Sequence, residues 1–457
     1  TIKTDDALSI GQLLVNQFEL FNYQIHNAPT LTIESNPPSK LIPATPLNFR
    51  PSSLFQNRLV IYSHYYKSQY QSQNVKIFKD WDQKHSGPLT VDSSYDPKGD
   101  ARPLARAISS DTDITHLVID NFAPDQFGTF ISTIFEYSTN LNHITFKSIP
   151  SSIQKEFDFS SSNNKVINNI TFRDSNADSI IAFINSLEKY EGEIQAFKLS
   201  NIQLAKEEIS DIIQSLSLLS CFSNLQTLSF DVLKVKEFPV QDFSALLPQL
   251  NHLTTLTVKQ IDAEGSELYN RIMSGMQTPK HIEIIGMKFT VKIEAELPES
   301  VTYLNLSESE LDVDTFLTLI NSIFTNPRTT PLFLTVSDLK GASTNNFLQN
   351  INFSELAPVL YELNWDSNHL GVGDMANFVK FLKTQTELKF LSLNKCFNKE
   401  DDPEKSLQAI SNFLHETPIQ GLSLQGDDKS SPIPAEALIS FLSSMSGCHG
   451  LKCLHLT

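Results

Sequence analysis

One apolar pattern returns at near-regular intervals along most of this chain. Its form is L-x-x-L-x-L, with Ile, Val, Phe and other apolar residues replacing leucine at several positions. We count thirteen copies, whose centres lie 22 to 32 residues apart. One copy would mean little, but thirteen at this spacing indicate an array of equivalent units. The central apolar residues are Leu117, Ile144, Ile170, Phe197, Leu228, Leu256, Ile282, Leu304, Leu334, Leu363, Leu391, Leu422 and Leu454.

Each copy predicts a strand, and the stretch that follows it predicts a helix. Alternation in the L-x-L core places two side chains on one face of a strand. Residues 314–324 show helical spacing, with Asp314 as a candidate N-cap. One strand and one helix cannot bury both faces alone, so neighbouring units must stack. The sequence therefore predicts an α/β fold, a leucine-rich-repeat solenoid of the ribonuclease-inhibitor-like horseshoe type, with parallel strands on the concave face and helices on the convex face.

The position three residues after the last core leucine predicts how regular each repeat is. Long repeats often have Asn or Cys there, bonded to neighbouring backbone. Asn368 and Cys396 fit this rule, whereas Phe122 and Ile149 do not. We therefore expect the early repeats to be less regular than the late ones.

Composition divides the chain into three parts. Residues 1–52 contain six prolines after position 28, which favour an extended or irregular chain, so we interpret them as a Pro-rich linker or partial N-terminal segment. Residues 53–110 hold a tyrosine cluster and predict an N-terminal helical cap. Residues 111–457 hold about thirteen repeats, and we expect the C-terminal cap to be missing, because the last pattern ends one residue before position 457.

Charge and cysteine content limit the classes of partner. The chain has 457 residues and a net charge of -17, which repels nucleic-acid phosphates, so we expect no nucleic acid as partner. No run of 18 apolar residues occurs, which predicts no transmembrane segment. Four scattered cysteines favour reduced thiols and a cytoplasmic protein.

Four stretches resemble the repeat domain of the CARMIL proteins, linkers of actin capping protein and myosin I. The first combines Trp81 and Asp82 with residues 104–108. The others are residues 301–307, which read VTYLNLS, residues 363–370, which read LNWDSNHL, and residues 391–399, which read LSLNKCFNK. The likeness covers about residues 53–457. In that family a lipid-binding domain precedes the repeats and the capping-protein motif lies in a basic tail after them, so the resemblance assigns neither to a residue of this chain.

The resemblance implies a non-enzymatic scaffold that regulates actin assembly at the cell cortex or leading edge. The implied partners are actin-regulatory proteins, namely nucleation-promoting complexes and capping protein, together with acidic phosphoinositides and a second copy of the chain as a homodimer. The repeats alone indicate only a binding surface. Two alternatives stay open: an inhibitor or adaptor of another pathway, and the repeat region of a larger enzyme whose catalytic domain is absent.

Motifs of catalysis and metal binding give little support for an enzyme. The sequence lacks G-x-S-x-G, H-E-x-x-H, G-x-x-x-x-G-K-[ST] and G-x-G-x-x-G, so we predict no catalytic residue and no cofactor. The sharpest zinc candidate combines Cys448, His449, Cys453 and His455. Since no second ligand cluster follows, we favour a structural role for these side chains and predict no metal.

Outward positions beside the core leucines supply two candidate binding surfaces. Aromatic side chains on neighbouring parallel strands would form one patch, which fits a partner site or internal packing equally well. Basic side chains earlier in the chain would form a stripe for an anionic peptide or lipid headgroup, with a solvated surface as the alternative. The predicted aromatic patch is Phe333, Tyr361, Glu362, Asn364, Asp366 and Phe390, and the predicted basic stripe is Lys147, Arg173, Lys198 and Lys259.

Overall fold

The computed structural model describes most of the repeat region. The chain divides into two compact units, Thr1–Ala196 with Leu219–Cys221, and Phe197–Leu218 with Phe222–Thr457. The segment 1–52, predicted as a linker, lies outside the described residues. In the described ranges, no helix is long and apolar enough to cross a bilayer. These ranges are residues 54–69, 81, 87–95, 99–151, 157–341, 348, 351–370, 372–397, 402–426 and 433–456.

The first unit alternates strands and helices. Its main sheet is parallel, in the order β1-β2-β3-β5, and the short strands β4 and β6 pair with each other. The helices are α1 (Leu54–Tyr65), α2 (Arg102–Ser109), α3 (Phe127–Tyr137) and α4 (Ala177–Ser186), and the strands are β1 (Leu89–Asp92), β2 (His116–Asp120), β3 (His143–Lys147), β4 (Val166–Ile167), β5 (Asn169–Arg173) and β6 (Glu193–Ile194).

The second unit repeats the same alternation. Its main sheet runs β7-β8-β9-β10-β12-β14-β16-β17-β18-β19, and the two-residue strands β11, β13 and β15 form a separate parallel sheet. The helices are α5 (Lys206–Leu218), α6 (Val240–Leu246), α7 (Gly265–Gly275), α8 (Val313–Phe324), α9 (Val372–Thr384), α10 (Pro403–Glu416) and α11 (Ala435–Ser444). The strands are β7 (Ala196–Ser200), β8 (Thr227–Asp231), β9 (Thr255–Lys259), β10 (His281–Ile285), β11 (Lys288–Phe289), β12 (Tyr303–Asn305), β13 (Glu310–Leu311), β14 (Leu332–Thr335), β15 (Lys340–Gly341), β16 (Leu360–Asn364), β17 (Phe390–Ser392), β18 (Gly421–Leu424) and β19 (Cys453–Leu456).

The thirteen predicted cores all lie in strands, which confirms the leucine-rich-repeat fold. Twelve of the thirteen central residues are buried, and Leu454 in β19 is partly exposed. Helix α11, which precedes that strand, exposes 63% of Ile439 and 43% of Leu442. Burial of an apolar side chain of this size stabilises a fold by about 1.5–3 kcal/mol, so the array of cores is its main source of stability.

The segment 53–110, predicted as a helical cap, contains a strand as well as helices. Strand β1 pairs in parallel with β2, with Leu89 opposite Leu117 and Val91 opposite Ile119. The ladder of parallel strands therefore begins before residue 111. Helices α1 and α2 pack against each other, and the Arg106 guanidinium lies 3.4 Å from the centre of the Tyr137 ring on α3. A cation above an aromatic face is attracted by the ring quadrupole, which helps to hold these helices together.

A left-handed residue follows the strand core in eleven repeats of the described chain. It stands two positions after the last core apolar residue, and its φ lies between 47° and 66°. In ten of these repeats its N–H donates a hydrogen bond of 2.7–3.0 Å to a carbonyl at the end of the next strand or within two residues after that end. The turn recurs equally in both units, so the predicted loss of regularity in the early repeats is wrong for the backbone. These residues are Asn121, Ser148, Asp174, Asn201, Val232, Gln260, Gly286, Glu308, Asp338, Ser367 and Lys395.

The next residue in each turn points into the core. Asn368 is 1% exposed, donates from Nδ2 to the Val336 carbonyl and accepts the Leu339 N–H at 2.8 Å. Cys396, one repeat later, donates its thiol to the Trp365 carbonyl at 3.3 Å. In early repeats Phe122 and other apolar residues fill this position by packing. Hydrogen bonding by a polar side chain and packing by an apolar one therefore both support the same turn conformation.

We expect Asn368→Ala to lower the free energy of unfolding by about 2–4 kcal/mol, because it leaves a buried N–H and a buried carbonyl without partners. Urea denaturation monitored by circular dichroism measures this loss. Asn321→Ala, on the exposed side of α8, is the matched control and should change the value by less than about 0.5 kcal/mol. Equal stability of Asn368→Ala and wild type would contradict the role given to this side chain.

Candidate partner-binding surface

The outward residues of the parallel strands lie in rows. In β9, Leu256 and Val258 are buried, and the residues between and beside them are partly exposed. Parallel pairing aligns equivalent residues of adjacent strands, as where Thr257 lies opposite Glu283 in β10. Corresponding outward side chains are therefore neighbours across the sheet. We call this side of the main sheet in the second unit the strand face.

Rings occupy one row of the strand face on five successive strands. The rings of His281 and Tyr303 stack at 4.1 Å with an interplanar angle of 11°. Tyr303 lies opposite Phe333 in the strand register. Ring centres are 5.4 Å apart for Phe333 and Tyr361, and 5.8 Å apart for Tyr361 and Phe390. We call His281, Tyr303, Phe333, Tyr361 and Phe390 the aromatic row.

The structure brings the three predicted aromatic residues into direct contact. It also extends their row by two residues that the sequence analysis did not select. Tyr303 and His281 both stand immediately before a central apolar residue, at the same pattern position as Phe333 and Phe390. The repeat pattern therefore already indicated these two rings, because the same position in β10 and β12 also holds a ring residue.

A β-bulge puts two side chains of β16 on the strand face. Leu332 lies opposite Leu360, but the next aligned pair is Phe333 with Glu362, so Tyr361 is the additional residue. Both Tyr361 and Glu362 are partly exposed. Bulges redirect side chains and are common beside functional sites. Here the bulge places a ring and a carboxyl group next to each other.

Glu362 and Glu283 are both acids beside the aromatic row, but their surroundings differ. Glu283 accepts a hydrogen bond from Thr257 at 2.8 Å and lies 3.5 Å from the His281 ring nitrogen, and the His281 contact in particular holds the pKa of Glu283 below its usual value. Burial instead raises the pKa of Glu362. Among the residues that the structure describes, the Glu362 carboxylate has no hydrogen-bond or ion-pair partner. Its aligned neighbours on both sides are aromatic, Phe333 and Phe390.

Gly421 gives Phe390 its position. The two residues are opposite each other in β17 and β18. A β-carbon at Gly421 would lie 2.5 Å from Phe390 Cδ1, so any other residue would push the ring away. Phe390 remains 37% exposed in this position. The role of Gly421 could not be predicted from its own repeat, because it depends on the residue that lies opposite on the adjacent strand.

Asn364 and Asp366 belong to a polar ladder beside the aromatic row. Asn364 Oδ1 accepts hydrogen bonds from Ser337 Oγ at 2.8 Å and from the Asp366 N–H at 3.0 Å. The Asp366 carboxylate accepts from Ser392 Oγ at 2.7 Å and from the backbone N–H and side-chain amide of Asn394 at 2.8 and 3.0 Å. These two predicted site residues therefore join adjacent repeats, which leaves Glu362 as the acid of the patch with unused acceptor capacity.

The predicted basic stripe divides between the two units and is interrupted by acids. In the first unit, Lys147 and Arg173 are opposite each other on β3 and β5. Lys147 Nζ lies 2.6 Å from Asp120 Oδ2, and Arg173 Nε lies 3.4 Å from Asp174 Oδ2. These carboxylates offset much of the local positive charge.

The other two stripe residues lie in the second unit, on strands that are not adjacent. Lys198 is in β7 and Lys259 is in β9, with β8 between them in the sheet. Lys259 is aligned with Asp231 of β8. The positive charges of this pair are therefore separated by an acidic strand end.

The zinc candidate is not assembled. The Cys448 thiol donates to the Leu414 carbonyl at 3.3 Å, and the His455 ring lies 2.8 Å from the Gln425 side-chain nitrogen. Among the described residues, no three His, Cys, Asp or Glu side chains are grouped so that they could hold a metal ion. Buried Cys396 and Cys221 have thiol pKa values raised by desolvation, which makes them weak nucleophiles.

Comparison with known proteins adds little beyond the fold. No family model matches the chain, and no curated protein matches it. Among solved structures, it is similar to TLR13 in complex with ssRNA13, at 14% identity and a TM-score of 0.32 over 75% of this chain. This chain spans only 57% of that TLR13 chain. It is also similar to the leucine-rich-repeat protein LegL7 from Legionella pneumophila, at 12% identity and a TM-score of 0.31, over 79% of this chain and 90% of that one.

The two acids of the patch should respond in opposite ways to neutralisation. Asp366→Ala removes the acceptor of three hydrogen bonds between repeats, so we expect it to lower the free energy of unfolding by about 1–3 kcal/mol. Glu362→Gln should not lower the free energy of unfolding at neutral pH. Because the folded-state pKa of Glu362 is raised, its ionised form opposes folding once the pH exceeds the unfolded value of about 4.3.

Thermal melts of wild type and Glu362→Gln at two pH values test this assignment. The stability of the variant relative to wild type should be greater at about pH 7 than at about pH 3, where the carboxyl is largely protonated in both states. A loss of stability in Glu362→Gln at neutral pH would mean that this carboxylate has a structural partner.

Proposed function

We propose that this protein is a non-enzymatic interaction scaffold whose partner binds the strand face at the aromatic row. The observation that supports this most strongly is the contact of three rings, Phe333, Tyr361 and Phe390, on adjacent strands at a partly exposed surface. Contiguous exposed aromatic side chains are typical of the energetic centre of protein interfaces. The rings are fixed by a sheet, so little side-chain entropy is lost on binding.

We further propose that the partners are regulators of actin assembly and that the protein acts at the cell cortex or leading edge. This step rests on the resemblance to CARMIL proteins. Three of the four stretches that carry it contain residues of β12, β16 and β17, which are strands of the aromatic row. Nucleation-promoting complexes and capping protein are the partners that the resemblance suggests.

A double substitution in the aromatic row tests the docking surface. We expect Tyr361→Ala with Phe390→Ala to abolish co-purification of the actin regulators from the native cell, as measured by mass spectrometry, with an unchanged melting temperature. Tyr65→Ala is the control, because Tyr65 is a 62% exposed ring that belongs to the first unit. Recovery of the same proteins by the double variant would contradict the proposal, and recovery of a different protein set by wild type would favour the inhibitor or adaptor alternative.

A second candidate function is binding of a phosphoinositide headgroup in the first unit. The observation in its favour is that Lys147 and Arg173 are adjacent on paired strands. A headgroup phosphate would have to compete with the carboxylates of Asp120 and Asp174 for these cations. Anionic phosphate can accept several charge-assisted hydrogen bonds at once, which is the basis for such competition.

Sedimentation with phosphatidylcholine vesicles, with and without phosphatidylinositol bisphosphate, measures lipid binding. We expect Lys147→Glu with Arg173→Glu to abolish the phosphoinositide-dependent fraction. The control, Lys165→Glu with Lys189→Glu, changes the net charge equally at exposed positions of the same unit. If both double variants bind alike, the paired cations are not the site.

A further inference from the structure

Glu362 lies partly exposed on the strand face, and its carboxylate has no hydrogen-bond or ion-pair partner among the described residues. The bulge in β16 keeps it on the strand face beside Tyr361, and its aligned neighbours, Phe333 and Phe390, offer no hydrogen bond. Lys389 directly precedes the adjacent strand β17, and its backbone N–H bonds to the Tyr361 carbonyl at 2.8 Å. Burial raises the pKa of the Glu362 carboxyl.

The chemistry around Glu362 restricts what can cover it. An apolar segment would bury the carboxylate without a partner, which is strongly unfavourable. An acidic segment would be repelled by Glu362 and by a chain whose net charge is -17. A cation, by contrast, is attracted by the carboxylate and can also stack on an aromatic ring of the row. Of these three kinds of segment, the carboxylate and the rings favour a cationic one.

We propose that Glu362, Phe333, Tyr361 and Phe390 form a receptor for the guanidinium group of an arginine on a basic segment of a partner protein. This deepens the proposed function and rests on its docking surface. Guanidinium is planar and weakly hydrated, stacks on aromatic faces and pairs with a carboxylate through two parallel N–H donors. The ring centres lie 5.4 and 5.8 Å apart along the row, and the strand register aligns Glu362 with Phe333 on one side and Phe390 on the other.

Acidic charge elsewhere on the chain would support the encounter with such a segment. A strongly negative protein raises the association rate of a basic partner, and salt weakens that effect. The receptor itself provides specificity, because it distinguishes arginine from other cations by geometry. The proposal therefore predicts dependence on one carboxylate, beyond a general dependence on charge.

Fluorescence anisotropy with a labelled peptide of alternating glycine and arginine tests the receptor. We expect Glu362→Gln to weaken its binding about tenfold, the loss of one charge-assisted pair, and Tyr361→Leu to weaken it by roughly threefold or more through the lost ring face. Glu387→Gln is the matched control, because it removes the same charge at an exposed position three residues before Phe390, and it should bind like wild type. Unchanged melting temperatures establish that the variants are folded.

Peptide analogues separate the guanidinium from other features. The citrulline analogue, neutral and of nearly the same shape, should not bind, and the lysine analogue should bind more weakly than the arginine peptide. Absence of arginine-peptide binding, equal binding by Glu362→Gln, or equal binding of the citrulline or lysine analogue would each overturn the proposal.

The failure of this receptor and the failure of the docking surface give different results. If Tyr361→Ala with Phe390→Ala loses the cellular partners while Glu362→Gln keeps both them and the peptide, the docking surface stands and the arginine receptor is wrong. If Glu362→Gln loses the peptide while the double alanine variant keeps its cellular partners, the receptor chemistry stands and the actin-regulator docking at this row is wrong.

Discussion

Main-chain hydrogen bonding between successive parallel strands is the constraint on which each unit depends. A strand of three to five residues has half of its polar backbone directed at the next repeat and cannot satisfy it alone. The ladder continues beyond the strand, because the N–H of the left-handed residue donates to the end of the neighbouring strand. That geometry turns the chain into the core at the following residue, where Asn368, Cys396 or a large apolar side chain such as Phe122 lies. The fold needs this turn conformation more than it needs any one residue type.

The same ladder explains why the strand face can carry function. Core packing uses the L-x-L side chains and the helices, so the outward residues are free to vary without loss of the fold. Some of them add hydrogen bonds between repeats, as Asp366 does with Ser392 and Asn394. Other outward residues make no stabilising hydrogen bond between repeats in the described part of the chain. Glu362 is of this second kind, since burial disfavours its charge and no hydrogen-bond or ion-pair partner among the described residues compensates it.

Sequence reasoning succeeded where the information lies within one repeat. The two-residue alternation and the spacing of about thirty residues located all thirteen strand cores, and the outward positions located Phe333, Tyr361 and Phe390. Strand β1 was missed because Ser86 stands where the pattern has its first apolar residue, so Leu89 and Val91 do not complete a copy. The short strands β11, β13 and β15 were missed because two residues have no detectable period. Relations between repeats were also missed. The bulge at Tyr361, the space that Gly421 leaves for Phe390, and the carboxylates beside Lys147 and Arg173 all depend on which residue faces which across two strands.

Hydroxyl-radical footprinting of the protein, alone and with a purified partner, tests the central claim most directly, because it reports the solvent exposure of individual side chains. The account predicts that the partner protects Tyr303, Phe333, Tyr361 and Phe390 together, while Leu218 and Ile439, exposed on helices α5 and α11, keep their reactivity. Protection of Leu218 or Ile439 with an unchanged aromatic row would contradict it, since the partner would then bind the helices and leave the strand face free.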